Sequence, residues 1–153
     1  MRPIILVASL LLMSSPTFAI NQEPAEVTAD IPENANFIIY REYAEPTVWS
    51  PTIKIDGRKL AALGNRRYTA THLEPGTYSV KLVWPLLSGQ RGKEIEVTIK
   101  EGETRYFEIV GISQVSGVGY QVIYFTVGSG IAEIEPAFAK AAIQQCCKFI
   151  TKN

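Results

Sequence analysis

The sequence predicts an all-β domain, a mainly antiparallel β-sandwich of about seven strands, followed by one C-terminal α-helix. Short apolar runs recur from Phe37 onward at roughly 8–12-residue spacing, which is typical of a sandwich. Turn residues such as Asp56-Gly57 and Pro75-Gly76 separate these runs, because glycine accepts a positive φ and proline fixes its own φ. After Pro136 the apolar period changes to that of a helix.

The composition is that of one globular domain and excludes several function classes. The chain has 153 residues, with 15 basic and 15 acidic side chains, and 46% of its residues are hydrophobic. Because nucleic-acid binders carry a clustered basic excess, no nucleic-acid partner is expected. Two cysteines and one histidine cannot form a four-thiolate or histidine-based zinc site. We therefore expect a protein without catalytic residues, metal or cofactor.

Residues 1–19 have the layout of a secretory signal peptide. Arg2 is a short basic region, Ile4–Met13 is apolar apart from Ser9, and small residues at Thr17 and Ala19 suit cleavage after Ala19. The apolar run is shorter than the ~20 residues that a membrane-spanning helix needs. The sequence thus predicts a periplasmic or secreted protein, with no transmembrane segment in the mature chain and one more negative than positive charge.

The mature chain begins with a predicted flexible leader, residues 20–36, which is rich in Glu, Pro and Ala. Phe37–Tyr40 is apolar on both faces and suits a central strand. Thr52–Asp56 and Arg58–Leu63 form the next pair, because Asp56-Gly57 is a strong hairpin signal. The domain is expected to occupy residues 37–150.

The remaining elements follow in order. Further strands are predicted at Arg67–Leu73, Thr77–Trp84, Lys93–Lys100, Thr104–Val110 and Tyr120–Val127. Gly111–Gly119 and Gly128–Gly130 are expected to be flexible connections, since neither has the spacing of a phosphate-binding loop. A helix of about 15 residues should start near Pro136 and cover an open edge or end of the sandwich.

Three segments carry a resemblance to a known family. Thr52–Leu60, Leu73–Leu82 and Val97–Thr104 resemble a PEGA-type repeat through the motifs Ile-Asp-Gly, Pro-Gly-Thr-Tyr and Lys-Glu-Gly-Glu-Thr. With Phe37–Tyr43 and the helix, residues 35–150 are similar to the bacterial family DUF2846. This resemblance implies a small exported β-sandwich, PEGA-like or immunoglobulin-like, and transfers no catalytic residue. Many relatives look like lipoproteins, whereas no cysteine follows the apolar run here.

Two groups of residues are candidate binding sites. Trp49, Leu86 and Leu87 lie in predicted loops, where they either cap the ends of the sandwich or act as contact anchors. Arg66-Arg67, with Arg58-Lys59, could form a basic patch with stacking faces from Tyr43 and Tyr68. The alternatives are solvated side chains at hairpin ends and a site for an anionic ligand, such as lipopolysaccharide, an acidic glycan or an acidic partner.

Cys146-Cys147 is the least ordinary feature of the helix. A bond between sequence neighbours requires a distorted backbone, so Cys146 is interpreted as a small core residue and Cys147 as an incidental thiol. Alternatively, Cys147 forms an intermolecular disulfide and a homodimer, or the two thiols take part in redox chemistry or capture a soft metal. The single His72 is interpreted as structural, because no nucleophile or orienting carboxylate is indicated beside it.

The sequence favours a non-catalytic interaction module of the bacterial cell envelope, which binds another envelope protein or envelope component with the loops at one end. The alternative is a carbohydrate-binding module for a surface glycan, suggested by an aromatic content of 10%. A hydrolase comes third, because paired carboxylates can act on glycosides. Glu94 and Glu96 are better explained as solvated positions of a strand.

Overall fold

The computed structural model describes residues 31–119 and 122–151, so the predicted signal peptide and residues 20–30 of the leader lie outside the described residues. Strands and one α-helix make up this part, in the order β1 (Phe37–Arg41), β2 (Thr52–Ile55), β3 (Arg58–Ala62), β4 (Arg67–Thr71), β5 (Gly76–Val83), β6 (Lys93–Ile99), β7 (Arg105–Gly119), β8 (Val122–Ile134), α1 (Pro136–Cys146) and β9 (Lys148–Phe149). The predicted class, mostly β with one C-terminal helix, is confirmed. Among the described residues, no helix has the length and apolar character to cross a bilayer.

The strands form two sheets. One has five strands in the order β8-β7-β1-β4-β9, and the other has four in the order β3-β2-β5-β6. β1 is a central strand, as its apolar residues on both faces predict, and it pairs antiparallel with β4 and parallel with β7. The described residues contain nine strands instead of about seven. No predicted strand corresponds to β9, which pairs with β4 over two residues.

The alternation along β1 divides the apolar residues into two clusters. Phe37 and Ile39 lie in a cluster between the two sheets with residues of both, including Ile53, Val80, Leu82, Val97, Phe107 and Ile109. Ile38 and Tyr40 point to the opposite face of the five-stranded sheet, where they pack with Tyr68, Tyr106 and two residues of α1, Ala139 and Ile143. The helix therefore covers a sheet face, and the prediction that it covers an edge or end is wrong.

The hairpin between β2 and β3 is confirmed. Asp56 and Gly57 both have positive φ, 46° and 76°, which is the backbone that a two-residue turn with the right twist requires. The Asp56 carboxylate also accepts a hydrogen bond from the backbone N–H of Ser79 at 2.9 Å, which ties the turn to β5.

The predicted flexible connections Gly111–Gly119 and Gly128–Gly130 are wrong. Both belong to β7 and β8, which pair antiparallel from Tyr106↔Ile134 to Gly119↔Val122, with one register shift between Val115 and Gly117. Cross-strand hydrogen bonds stabilise these segments as strands, although their glycine-rich sequences have low strand propensity. Glycine at position 111 has a steric cause, because the loop backbone at Glu45 lies against it.

The helix is shorter than predicted, because it ends at Cys146. Cys147 is extended, with φ −124° and ψ 138°, and its backbone N–H donates to the carbonyl oxygen of Ile143. Phe149 then packs against the Tyr68 ring, with 5.2 Å between ring centroids, so the last predicted turns of the helix become β9.

The folded part begins before Phe37. The side-chain amide of Asn36 donates to the Leu73 carbonyl oxygen at 2.7 Å and accepts from the Leu73 N–H at 2.8 Å. Ala35 is buried. Residues 31–36, which the sequence assigns to the leader, are thus in contact with the connection between β4 and β5.

Candidate functional site

Three loops meet at one end of the two sheets, and we call residues 42–51, 63–66 and 85–92 the loop end. The register brings them together, because Thr52 at the start of β2 pairs with Val83 at the end of β5 and with Ala62 at the end of β3. The backbone N–H of Arg66 donates to the Glu42 carbonyl oxygen at 3.0 Å, which joins the first two loops.

The buried side chain of Arg41 organises this end. Its guanidinium group donates hydrogen bonds to four backbone carbonyl oxygens, those of Ala44 (2.6 Å), Pro46 (2.7 Å), Trp49 (2.8 Å) and Leu63 (3.1 Å). The guanidinium carbon also lies 5.1 Å from the centre of the Trp84 ring. Burial lowers the pKa of Arg41 and nearby Glu45 opposes that shift. An arginine remains charged at neutral pH under such conditions.

Several exposed large apolar side chains lie at the loop end. Among residues 31–111 and 128–151, whose side chains the structure describes, five such side chains are exposed, and four are here: Tyr43 (72% exposed), Val48 (86%), Leu86 (97%) and Leu87 (82%). Leu86 and Leu87 occupy a 3-10 turn, Leu86–Ser88, whose Ser88 hydroxyl donates to the Pro85 carbonyl oxygen. Since soluble domains rarely gather exposed apolar groups in one place, this end has the character of an interaction surface.

The candidate binding residues differ in their placement. Leu86 and Leu87 are in solvent, where a contact anchor would have to be. Trp49 is partly buried and packs on the cluster between the sheets, so its ring is part of the fold. Tyr68 is 1% exposed and cannot present a stacking face, whereas Tyr43 can. Val48 is not singled out by the sequence, although an apolar pair in a proline-flanked loop is a signal that could have found it.

The loop end carries more cations than carboxylates. Its positive side chains, together with those of β4, β6 and β9 that adjoin it, are Arg66, Arg67, Arg91, Lys93 and Lys148. The negative ones are Glu42 and Glu45. Arg66 is exposed, and its Nε donates to the Cys146 carbonyl oxygen at 3.3 Å. The structure does not bring Arg58-Lys59 to this patch, because β3 carries the chain from one end of its sheet to the other.

Arg58 and Lys59 line a cleft at the opposite end. The cleft has a volume of about 420 Å³ and is bounded by Ile55, Asp56, Arg58, Lys59, Leu60, Thr71, His72, Leu73 and Tyr78. His72 is held at its rim, with Nδ1 2.9 Å from the Asn34 carbonyl oxygen and Nε2 3.5 Å from the Glu74 carboxylate. These contacts agree with a structural histidine.

The two cysteines are bonded to each other within one chain. The interpretation of Cys147 as an incidental thiol is therefore wrong, and Cys146, interpreted as a small core residue, is half-buried and bonded. Because Cys147 is already bonded, the predicted intermolecular disulfide differs from the structure as well. The sequence could not show that the helix ends at Cys146 and that Cys147 has an extended backbone.

The paired glutamates of the hydrolase hypothesis lie on an open strand. Glu94 and Glu96 are exposed on β6, and Glu94 accepts a hydrogen bond from the Ser79 hydroxyl at 2.6 Å. That bond, together with Lys81 at 3.2 Å, lowers the pKa of Glu94, whereas a general acid needs a raised pKa. In the part of the chain that the structure describes, no three His, Cys, Asp or Glu side chains form a group able to hold a metal ion.

Comparison of the chain with protein-family models, curated proteins and solved structures found no match. The resemblance to DUF2846 therefore stays a prediction. The geometry of the loop end and of the cleft is the basis for assigning a function.

Glu108 on β7 is a carboxyl group whose pKa is raised, chiefly by burial. The Tyr40 hydroxyl donates to Glu108 at 3.2 Å and opposes the shift, and burial next to this carboxylate raises the pKa of Tyr40. A raised pKa means that the fold favours the neutral acid. The stability that Glu108 contributes is thus present below its unfolded pKa and is lost as the pH rises through its folded pKa.

Replacement of Glu108 by glutamine should therefore stabilise the fold at neutral pH, by less than about 1 kcal/mol since solvent reaches this partly buried group, because the amide is never ionised and still accepts from Tyr40. The stability difference between Glu108→Gln and wild type should vanish at a pH below the ordinary pKa of a glutamate side chain. Urea denaturation at neutral pH and at that lower pH measures the difference, with exposed Glu96→Gln as the control. A Glu108→Gln variant that is less stable than wild type at neutral pH would contradict the assignment.

Proposed function

We propose that the protein is an exported, non-catalytic interaction module of the bacterial cell envelope, and that its loop end binds a negatively charged envelope component. One observation carries this proposal: four exposed apolar side chains and an excess of cations share that end. Apolar groups supply affinity once they leave water, and the cations select the sign of the partner and steer its approach.

The architecture we propose with this function is a PEGA-like β-sandwich of the DUF2846 type. Its support is the apolar cluster between the two sheets, to which strands of both contribute, as the facing layers of a sandwich would. Loops at the end of such a scaffold are a common binding surface, because the sheets hold them in place. The hydrogen bonds donated by Arg41 also hold residues 44–49 in place.

The experiment measures how much envelope material is recovered with wild type and with a Leu86→Ser/Leu87→Ser variant. Both proteins are purified after expression in the host. Both leucines are exposed, so the fold should be retained. We expect recovery to fall at least about tenfold, because burial of one leucine contributes roughly 2 kcal/mol.

The matched control is Phe138→Ser, which removes another exposed apolar side chain (74% exposed) far from the loop end. It should bind as wild type does. Equal recovery by wild type and the double leucine variant, or recovery by neither, would contradict the proposal.

A second candidate is a carbohydrate-binding module that uses the cleft. The cleft favours this function, because it has a volume of about 420 Å³ and is lined by Tyr78, Thr71 and Arg58. These residues offer stacking and hydrogen-bonding groups to a sugar. An Arg58→Gln/Lys59→Gln variant in the same experiment separates the two candidates. Loss of binding in this variant, with the leucine variant unaffected, would favour the glycan.

A further inference from the structure

We propose that the component bound by the loop end is the anionic surface of a phospholipid bilayer, with Leu86, Leu87 and Val48 inserted at the interface and the surrounding cations at the lipid headgroups. This assignment rests on the proposed function and names its partner. It is argued from the exposure of the apolar side chains, the distribution of charge and the direction of the β7–β8 ribbon.

The exposed apolar side chains protrude from two loops. Leu86 and Leu87 are 97% and 82% exposed on one turn, and Val48 is 86% exposed on the neighbouring loop. A protein partner would need a surface shaped to each projection, because the cores of protein interfaces are as densely packed as protein interiors. The interfacial region of a bilayer is fluid and accepts projecting leucine and valine side chains without a matching shape.

The charge of the molecule is polarised along the same axis. Arg66, Arg91 and Lys148 are exposed at or beside the loop end. At the opposite end Glu133 is paired with Arg105, and the remaining carboxylates, Asp56, Glu74, Glu101, Glu103 and Glu135, outnumber the cations Arg58, Lys59 and Lys100. A negative surface therefore attracts the loop end and repels the opposite end, so the approach is oriented before any apolar contact forms.

The few carboxylates of the loop end offer little opposition. Glu45 accepts a hydrogen bond from the backbone N–H of Thr47 at 3.1 Å, so its charge is partly compensated within the loop. Glu42 is exposed and remains a single negative charge among the cations. Each cation near an anionic membrane contributes about 1 kcal/mol, which corresponds to roughly fivefold in binding.

The ribbon formed by β7 and β8 extends from the same end. β7 runs parallel to β1 and continues past its last residue, Arg41, while β8 pairs with it as far as Gly119↔Val122. The sequence from Ile109 to Ala132 contains no charged residue. The β7–β8 ribbon therefore brings no charged side chain that would have to be desolvated near lipid.

Vesicle flotation tests the assignment with purified protein in the form that the host produces. The probes are vesicles of phosphatidylcholine alone and of phosphatidylcholine mixed with phosphatidylglycerol. Wild type should float with the mixed vesicles, and high salt should weaken this binding because exposed charges are screened. Leu86→Ser/Leu87→Ser should weaken it at least about tenfold. Arg66→Gln/Arg91→Gln should weaken it on the order of tenfold.

Two variants at the opposite end are the controls. Phe138→Ser removes an exposed apolar side chain and Lys100→Gln removes an exposed cation that does not line the cleft, so each matches one loop-end variant. Both should float as wild type does. Failure of wild type to float with mixed vesicles, or equal losses in the controls, overturns the lipid assignment. If the protein does not bind vesicles but still binds envelope extract through Leu86 and Leu87, only the lipid assignment is wrong. If the protein binds neither vesicles nor envelope extract, the proposed function is wrong as well.

Discussion

Replacement of Arg41 by methionine is expected to lower the free energy of unfolding by about 3–5 kcal/mol, because several carbonyl oxygens lose their donor at once. Two of these four hydrogen bonds, to Ala44 and Leu63, are buried, and a buried polar group without a partner costs about 1–3 kcal/mol. Methionine has a similar length and no charge, so the effect measures lost hydrogen bonds more than an empty cavity.

A second variant, Arg41→Lys, separates charge from geometry. Lysine keeps the positive charge, but its ammonium group is compact and cannot reach carbonyl oxygens on both loops as the planar guanidinium group does. It also loses the stacking on Trp84, which lies 5.1 Å from the guanidinium carbon. We therefore expect Arg41→Lys to be nearly as destabilising as Arg41→Met.

The matched control is Arg67→Met. Arg67 pairs with Arg41 across β1 and β4, but it is only half-buried and its guanidinium bonds the Arg66 carbonyl oxygen at 3.3 Å. Its replacement should cost less than about 1 kcal/mol. Denaturation by urea measures all three variants. If Arg41→Met were no less stable than Arg67→Met, Arg41 would not be what holds the loop end.

The sequence was sufficient to place the elements from β1 to β6. β2, β5 and β6 show period-two alternation, β1 is a continuous apolar run, and turns such as Asp56-Gly57 have a defined backbone requirement, so local chemistry and tertiary structure agree. β7 and β8 could not be placed in full, because glycine and serine have low strand propensity. Their long antiparallel register is a property of the pair and of neither segment alone.

Arg41 shows why the buried part of the site escaped prediction. It ends the apolar run Phe37–Tyr40 and looks like a polar residue at the start of a loop. Its burial depends on carbonyl oxygens up to 22 residues away in sequence, and no periodic pattern encodes such contacts. Every residue has a backbone carbonyl oxygen, so the sequence does not show which of them accept hydrogen bonds from Arg41.

The surface part of the site was partly predictable. Leu86 and Leu87 in a loop already signal exposed apolar groups, while Trp49 in the neighbouring loop gives the same signal and is held against the core. The separation of Arg58-Lys59 from Arg66-Arg67 also follows from elementary geometry. A strand of five residues such as β3 spans about 17 Å, so positions just before and just after it cannot share a patch.

Gly111→Ala should destabilise the fold by about 2–4 kcal/mol, although alanine is the smallest replacement that has a side chain. A Cβ at this position would clash with both the backbone nitrogen and the carbonyl oxygen of Glu45. These are main-chain atoms, so no side-chain rotation relieves the clash. Either β7 or the loop must move, and Arg41 resists movement of the loop because it bonds Ala44 and Pro46 on either side of Glu45.

Gly128→Ala provides the matched control, because Gly128 lies on β8 one register position from the partner of Gly111. A Cβ there would meet no atom of the described residues within 4 Å. Since glycine inside a strand is less favourable than alanine by roughly 0.5–1 kcal/mol, this variant should be neutral or slightly more stable. Thermal denaturation followed by tryptophan fluorescence reports on both variants, because Trp49 lies in this loop and the Trp84 ring contacts Arg41. Equal stability of the two alanine variants would show that β7 yields without cost and that the loop is not wedged between Arg41 and the strand.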